Sequence, residues 1–183
     1  MFFEKQGPVW ETLRRLEERL RESQIDYVVI GGLALNAYGY RRQTVDVDVV
    51  LRPEDFERFR QRFETTTYQK IGGAPRRYRD AESEVSIDIL LSGAVAGDRK
   101  RNQAVRFPDP DEAEVHDDIR TVSLARLIEL KLVTWRYKDW GDVVELIRAG
   151  GLDGSFAEGL APTVKAAYLQ CCDQAKSPGY EGP

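Results

Sequence analysis

The stretch Tyr27–Leu51, YVVIGGLALNAYGYRRQTVDVDVVL, decides the fold. It opens with an apolar run typical of a buried strand, breaks at Gly31-Gly32 where a short helix can begin, and resumes as a second apolar strand. Asp46 and Asp48 lie two residues apart in that second strand, so their side chains point to the same face. Burying two neighbouring carboxylates is costly unless something compensates their charge, and a divalent cation is the usual compensation. The stretch therefore predicts a metal site on this strand.

The bulk composition restricts the class of protein. The chain has 183 residues, enough for one domain with a core and a helical appendage, and its formal net charge is -4. This balance argues against a protein that coats nucleic acid, because such surfaces are basic. Local basic clusters at 41–42, 76–79 and 99–101 suit either a polyphosphate or RNA end, or an ordinary solvated surface. No apolar run is long enough to span a membrane and the opening residues lack a signal-peptide pattern, so we expect a cytoplasmic protein.

Cysteine and histidine residues do not form a recognisable site. Cys171 and Cys172 are adjacent, without a CxxC or histidine spacing, and we expect reduced thiols on or near a C-terminal helix. His116 is the only histidine and lies in the acidic run Asp109–Asp118, where we expect a solvated loop residue. A zinc site, a catalytic triad and a histidine-based metal site are therefore not supported.

Strands and helices alternate in the first half of the chain, and the last third is helical. This order predicts a mixed α/β (α+β) fold, with a twisted sheet flanked by helices and a C-terminal helical subdomain. We place the core at 1–118, the helical subdomain at 119–176 and a frayed tail at 177–183, with Lys138-Asp139 separating two helices. Apolar periodicity and turn residues predict helices at 9–23, 53–63, 123–137, 140–148 and 155–176, strands at 25–30, 45–51, 65–70, 76–79 and 84–91, and a surface loop at 108–118.

A third acid strengthens the prediction of a metal site. Asp88 lies in the middle of the apolar segment EVSIDILL, in a strand that can pair beside the one that carries Asp46 and Asp48. Carboxylates grouped in this way form an oxygen-ligand site suited to Mg²⁺. Gly31 and Gly32 lead into a helix N-terminus, where free backbone amides can hold phosphate oxygens. Together these features predict phosphoryl or nucleotidyl transfer.

The pattern of these residues resembles the nucleotidyltransferase superfamily of the DNA polymerase beta type. That family has a Gly-Gly or Gly-Ser pair, a short helix, an acidic strand of the form hxDxD and a third acid on a later strand. In this chain the pattern reads Gly31-Gly32, Thr44-Val45-Asp46-Val47-Asp48 and then Asp88. The resemblance covers about residues 26–148 and implies a nucleotidyltransferase-like fold.

A later helical motif is similar to small bacterial and archaeal members that include abortive-infection toxin nucleotidyltransferases. Those proteins carry a lysine, then Lys-Asp, then a further acid, and this chain has Lys131, Lys138-Asp139 and Asp142. The resemblance implies that Lys131 offsets charge on the triphosphate and that Asp139 orients this lysine or contacts the base. The alternative from the residues alone is an ion pair between Lys131 and Asp139 on the helix surface.

The resemblance also implies roles for the residues of the opening stretch. Asp46 and Asp48 would bind both of two metal ions, with Mg²⁺ expected and Mn²⁺ as the alternative. Asp88 would bind the ion that activates the acceptor and could also act as general base. Gly31 and Gly32 would contact the triphosphate.

Positions beside the acidic strand have two interpretations each. By the same resemblance, Thr44 would support that strand or donate to a phosphate. Gly32 departs from the better-characterised members, which have a serine there whose hydroxyl contacts a phosphate; a backbone amide can take that role. Arg41 and Arg42 suit a clamp on the triphosphate or a solvated loop. Base stacking and ordinary packing both suit the aromatic residues Trp135, Tyr137 and Trp140.

These features predict a Mg²⁺-dependent nucleotidyltransferase that moves an NMP from an NTP to a hydroxyl acceptor. The sequence leaves open whether the acceptor is an RNA end, a protein or a small molecule. A toxin role, with an antitoxin as partner, is compatible with this chemistry, and no membrane association is expected. The alternative is a catalytically inactive module of the same fold that binds nucleotides or another protein, for which Gly32 leaves room.

Overall fold

The computed structural model describes residues 6–177 of the chain. The helices are α1 (Pro8–Glu22), α2 (Gly31–Ala37), α3 (Pro53–Phe63), α4 (Leu124–Leu132), α5 (Tyr137–Gly150) and α6 (Pro162–Lys176), with short 3-10 helices at Pro110–Glu112 and Gly154–Gly159. The strands are β1 (Val28–Ile30), β2 (Asp46–Leu51), β3 (Tyr68–Lys70), β4 (Arg77–Asp80), β5 (Ser86–Leu91), β6 (Glu114–His116) and β7 (Ile119–Thr121). None of the helices within this range has the length and apolar character that crossing a membrane requires.

The strands of the described region form one mixed, seven-stranded sheet in the order β3-β4-β5-β2-β1-β7-β6. β2 occupies the centre, antiparallel to β1 and parallel to β5. The predicted mixed α/β fold is therefore confirmed. The pairing of the strand that carries Asp88 beside the strand of the paired acids is confirmed as well.

Each face of the sheet carries its own hydrophobic cluster, and alternation along β2 decides where the aspartates point. Val47 and Val49 are fully buried in the cluster that also contains residues of α1 and α3. Val50 belongs to the cluster on the other face, which is built with α4, α5 and α6. Asp46 and Asp48 share the side of Val50, because they are spaced from it by even numbers of residues. The helices of the C-terminal third therefore lie on the same side of the sheet as the acids.

The amphipathic pattern of α1 buries the face that the sequence predicts. Leu13, Leu16 and Leu20 recur at helical spacing and are fully buried. Phe59 and Phe63 of α3 enter the same cluster, so the phenylalanine residues of this helix contribute to the core. Burial of one such side chain stabilises by about 1.5–3 kcal/mol, so this face anchors both helices behind the acidic strand.

The helix predicted at 123–137 ends earlier, at Leu132, and α5 follows after a short break. Trp135 lies in the break with a φ of 58°, in the left-handed region that interrupts a helix. Thr134 Oγ1 donates to the carboxylate of Asp139 at 2.7 Å. The prediction that Lys138-Asp139 separates two helices is therefore wrong, because Asp139 lies in the first turn of α5. A carboxylate is favourable there because it faces the free N–H groups of the first turn.

The acidic segment predicted as a surface loop at 108–118 contains β6, which pairs with β7 at the edge of the sheet. β7 in turn pairs in parallel with β1, through Thr121 and Val29. His116 lies in β6, and its ring packs edge-on against Tyr38 with the centroids 4.9 Å apart. The prediction of a loop is wrong for His116, because three-residue strands are too short to show an alternating pattern. The side chain of His116 is 31% exposed, so it keeps contact with solvent.

The helix predicted at 155–176 begins later, at Pro162, after a 3-10 turn. Proline has no N–H, so it suits the first position of a helix better than its interior. Cys171 and Cys172 lie on α6 as buried free thiols, as predicted. Apart from its first residue, the frayed tail predicted at 177–183 lies outside the described residues.

Candidate active site

Three aspartates meet on the face of the sheet that carries α4 and α5. In the parallel pair of β2 and β5, Asp48 lies directly opposite Asp88, and Asp46 lies two residues earlier on β2. Ile87 and Ile89 point into the cluster behind the sheet, which leaves Asp88 on the same face as the other acids. One carboxylate oxygen from each aspartate lies within 4.8 Å of the other two. The structure therefore brings the three predicted metal ligands together.

Burial and crowding of like charges raise the pKa of two of these carboxyl groups. Burial first, and then the charges of Asp46 and Asp88, raise the pKa of Asp48 to about 7. Burial also raises the pKa of Asp88, although Arg77 opposes this shift with its Nε 3.5 Å from the carboxylate. A bound divalent cation would offset the repulsion between these carboxylates. The cluster offers only oxygen donors, which are the ligands that Mg²⁺ prefers.

Gly31 and Gly32 begin α2 directly beside the acidic strand. Gly31 has a φ of 68°, and a Cβ on it would overlap Oδ2 of Asp48. A Cβ on Gly32 would lie 2.6 Å from Oγ1 and 2.7 Å from the Cβ of Thr44. A side chain at either position therefore requires a neighbour to shift: Asp48 for position 31 and Thr44 for position 32.

Thr44 occupies the volume beside Gly32 and turns its hydroxyl toward the acidic cluster. Its Oγ1 donates a hydrogen bond to Oδ1 of Asp46 at 2.8 Å. This charge-assisted bond holds the direction of the Asp46 carboxylate and so fits the predicted role of supporting the acidic strand. A hydroxyl has a single proton, so Thr44 cannot donate to a phosphate while this bond persists.

Lys131 of α4 lies at the centre of a buried charge network. Its Nζ is 3.0 Å from Oδ1 of Asp139 and 2.7 Å from Oδ2 of Asp142. Lys131 is 7% exposed, and the two aspartates are 1% and 3% exposed. The predicted ion pair between Lys131 and Asp139 is therefore present, but it is buried and does not lie on the helix surface. Charges at this depth persist only where each has hydrogen-bonding partners, as these do.

Two arginines complete the network. Nη1 of Arg42 is 2.8 Å from Oδ2 of Asp142, and Nε of Arg136 is 2.6 Å from Oδ2 of Asp139. Burial would raise the pKa of Asp139, but Lys131 and the other donors outweigh it, and this pKa lies below its ordinary value. The network joins α4 and α5 to the segment before β2. It therefore holds the helices of the C-terminal third over the acidic strand.

A cavity of about 550 Å³ opens beside the three aspartates. Gly31 and Gly32 line it together with most of the charge network, and Arg76 in the turn before β4 and Arg77 at the start of β4 line it as well. A volume of this size accommodates a nucleotide or a drug-sized molecule. The cavity also has apolar lining residues, which include Leu90, Phe107, Leu127 and Leu130. The predicted stacking residues Trp135, Tyr137 and Trp140 do not line it.

No protein-family model matches the chain, and no curated protein matches it. Among solved structures, the lincosamide antibiotic adenylyltransferase LnuA in its lincomycin-bound form is similar, with a TM-score of 0.51 and 16% sequence identity. The similarity covers 74% of this chain and 94% of that chain. This chain has a nucleotidyltransferase fold.

The predicted nucleotidyltransferase-like fold is thereby confirmed. A second solved structure, the antibiotic-resistance factor ANT(2'')-Ia, aligns with a TM-score of 0.43 and 12% identity over 88% of this chain and 81% of that chain. The argument for the fold therefore rests on LnuA, and at 16% identity that likeness shows the fold alone.

The fold also creates contacts at the site that the sequence does not show. The contact between Arg42 and Asp142 spans 100 residues of sequence, and no local pattern announces it. Asp142 is visible in the sequence only as the last acid of the helical motif. Arg76 and Arg77 are visible only as members of a basic cluster. Their place beside Asp88 follows from the pairing of β4 with β5.

Proposed function

We propose that this chain is a metal-dependent nucleotidyltransferase that transfers an NMP from an NTP to a hydroxyl group. The observation that carries the proposal is the convergence of Asp46, Asp48 and Asp88 beside a cavity of about 550 Å³. The nucleotidyltransferase fold of the chain supports it. Such an acidic cluster suits phosphoryl chemistry because its oxygens suit the hard cations that accompany polyphosphates.

The three aspartates would hold two Mg²⁺ ions, with Mn²⁺ as the alternative. When bound, such ions neutralise phosphate charge and stabilise the charge that develops on the attacking and leaving oxygens. In the transfer, the acceptor oxygen forms a bond to the α-phosphorus, the bond from that phosphorus to the bridging oxygen breaks, and pyrophosphate leaves. Asp88, whose pKa is raised chiefly by burial, accepts the proton of the attacking hydroxyl.

We assign the triphosphate to the side of the cluster where β1 meets α2. Gly31 and Gly32 line the cavity without side chains, and N–H groups in the first turn of a helix have no intrahelical acceptor. Lys131 lines the same cavity, and its charge opposes the rise in the pKa of Asp48 that burial and the neighbouring acids cause. Because Asp139 holds the ammonium group in place, we assign Lys131 a long-range electrostatic role toward the phosphates, with Asp139 as its positioning residue.

The acceptor and the biological role have narrower support. LnuA is named for a lincosamide antibiotic, and a small-molecule acceptor is proposed for this chain by analogy with that name. An RNA or protein acceptor, a toxin activity with an antitoxin partner and a cytoplasmic location rest on the sequence resemblance and composition alone.

The competing function is an inactive module of the same fold that binds nucleotides or another protein. Glycine at position 32, in place of serine, favours it on sequence grounds. The packing of Thr44 against Gly32 gives that glycine a structural reason instead. Three clustered carboxylates are moreover costly to retain in a module that binds no cation.

Calorimetry with each NTP in the presence of Mg²⁺ tests the proposal. The wild-type protein is expected to bind at least one NTP, and Asp46→Asn is expected to abolish that binding. The control Asp118→Asn changes an exposed carboxylate and is expected to bind like the wild type. Absence of NTP binding by the wild type would refute the proposal.

Transfer is measured separately from binding. The protein is incubated with an NTP labelled at the α-phosphate, Mg²⁺ and a panel of acceptors that includes a lincosamide, a short RNA and the protein itself. A labelled product with release of pyrophosphate is expected for one acceptor. NTP binding without any labelled product would favour the inactive module.

A further inference from the structure

The order of strands across the acidic cluster separates a nucleotide side from an acceptor side. Across the sheet, Gly31 follows β1, Asp48 lies on β2, Asp88 on β5 and Arg77 on β4. Neighbouring strands are about 4.8 Å apart, so about 14 Å separate β1 from β4. In an in-line displacement the attacking and leaving oxygens lie on opposite sides of the phosphorus. With the triphosphate at Gly31, the acceptor therefore lies toward β4.

Three cations on the nucleotide side are already paired with carboxylates. Lys131 contacts both Asp139 and Asp142, and the two arginines of the network each contact one of these acids. The two carboxylates therefore offset two of these three positive charges within the protein before any ligand binds.

The acceptor side carries an arginine without such a partner. Arg76 lines the cavity at the turn before β4. Within residues 6–177 it forms no ion pair, and its Nε is shielded from solvent without a hydrogen-bonding partner. Its carbonyl accepts from the N–H of Ile89 at 2.9 Å, which holds its backbone beside Asp88. A shielded donor without an acceptor is unusual in proteins, and an anionic ligand satisfies it.

We propose that the acceptor carries an anionic group, a phosphate or a carboxylate, near the hydroxyl that is modified, and that Arg76 binds this group. The inference rests on the proposed nucleotidyl transfer and names the chemical class of its acceptor. A guanidinium group matches a phosphate or carboxylate through two parallel hydrogen bonds. Arg77 lines the same wall but pairs with Asp88 at 3.5 Å, so Arg76 supplies the uncompensated positive charge there, which disfavours a cationic group at this position. An RNA 3′ end and a sugar phosphate both provide this chemistry.

Binding to the protein loaded with Mg²⁺ and an α,β-methylene NTP analogue tests the inference without catalysis. The anionic probes are glycerol 3-phosphate and a short oligoribonucleotide with a free 3′-hydroxyl; glycerol and spermidine are the neutral and cationic comparisons. At least one anionic probe is expected to bind more tightly than both comparisons. Binding of the oligoribonucleotide alone identifies a nucleic-acid end, and binding of glycerol 3-phosphate identifies a small-molecule phosphate.

Arg76→Gln is expected to lower the affinity for the anionic probe by about tenfold to a hundredfold, which is the loss typical of a charge-assisted hydrogen bond. The affinity for the NTP analogue is expected to stay unchanged. Arg79→Gln is the matched control, because Arg79 lies on β4, pairs with Glu84 at 3.4 Å and does not line the cavity. If Arg76→Gln does not fold, Arg76→Lys is the substitute, because it keeps the charge but lacks the planar guanidinium group. It is expected to lower the affinity for the anionic probe by about tenfold.

Three results would overturn the inference. The first is a wild-type protein that binds glycerol or spermidine as tightly as the anionic probes. The second is unchanged binding of the anionic probe to the Arg76 variant. The third is an equal loss of affinity for the NTP analogue, which would place Arg76 on the nucleotide. Failure of the analogue to bind the wild type would instead refute the nucleotidyl-transfer function itself, and the inference with it.

Discussion

Asp48→Asn is expected to stabilise the metal-free protein while removing its response to Mg²⁺. Burial and the charges of Asp46 and Asp88 raise the pKa of Asp48 to about 7, against 3.8 for an unperturbed aspartate. A shift of about three pKa units, at about 1.4 kcal/mol per unit, disfavours the ionised carboxylate in the folded state by about 4 kcal/mol. Asp48 keeps some contact with solvent, which reduces this cost to about 2–4 kcal/mol. Asparagine has nearly the same shape as aspartate but no charge. The variant avoids the cost of ionising residue 48, so its free energy of unfolding is higher by about 2–4 kcal/mol.

The gain depends on pH in a direction set by proton linkage. Between about pH 4 and about pH 7 the folded wild type binds more protons at Asp48 than the unfolded chain does, so its free energy of unfolding falls as the pH rises. Below about pH 4 both states are protonated at this residue, and the variant has little advantage. At about pH 8 the difference reaches its full value.

Urea unfolding with EDTA at about pH 4 and about pH 8 measures the two free energies. Added Mg²⁺ is expected to stabilise the wild type, because a ligand that binds only the folded state raises its stability, and to leave Asp48→Asn unchanged. Asp118→Asn, at an exposed position, is the control and is expected to behave like the wild type in both conditions. The reasoning is refuted if Asp48→Asn is less stable than the wild type near pH 8 in EDTA, or if Mg²⁺ stabilises both proteins equally.

Three further substitutions test the packing of the site, with urea unfolding as the measurement. Gly31→Ala is expected to cost at least about 2 kcal/mol, because a left-handed φ and overlap with a carboxylate act together, and a neutral effect would contradict the observed backbone. Gly32→Ser is expected to cost about 1–3 kcal/mol, and the added change Thr44→Gly to recover most of that loss; equal stability of the single and double variants would count against the contact. Lys131→Ala removes the cation that contacts both buried carboxylates, Asp139 and Asp142, and is expected to cost about 3–5 kcal/mol. The control Lys138→Ala, at an exposed position, is expected to change the stability by less than about 0.5 kcal/mol.

The acidic strand was open to prediction because its information is local. Alternation in β2 makes Asp46 and Asp48 share a face whatever the strand pairs with. The break at Gly31 and Gly32 is equally local, since glycine between an apolar run and a helix marks a change of backbone direction. The amphipathic spacing of α1 likewise predicts its buried face.

Helix ends and short edge strands were harder to predict. The break before α5 depends on Trp135 in a left-handed conformation and on the bond from Thr134 to Asp139. Neither is visible as a change in apolar periodicity, because the residues on both sides continue the helical pattern. β6 and β7 are stabilised by pairing along the sheet and have too few residues for a pattern of their own.

The sequence by itself determined that two carboxylates lie side by side on a buried strand, next to a glycine turn. Only the tertiary structure decided that Asp88 lies opposite Asp48, since the register of a parallel pair depends on residues distant in sequence. It also decided that a serine at position 32 would press on Thr44, and that Arg76 lines the cavity without a carboxylate partner among residues 6–177. Periodicity records which face a residue takes, whereas contacts between faces are set by the packing of the whole sheet and its helices.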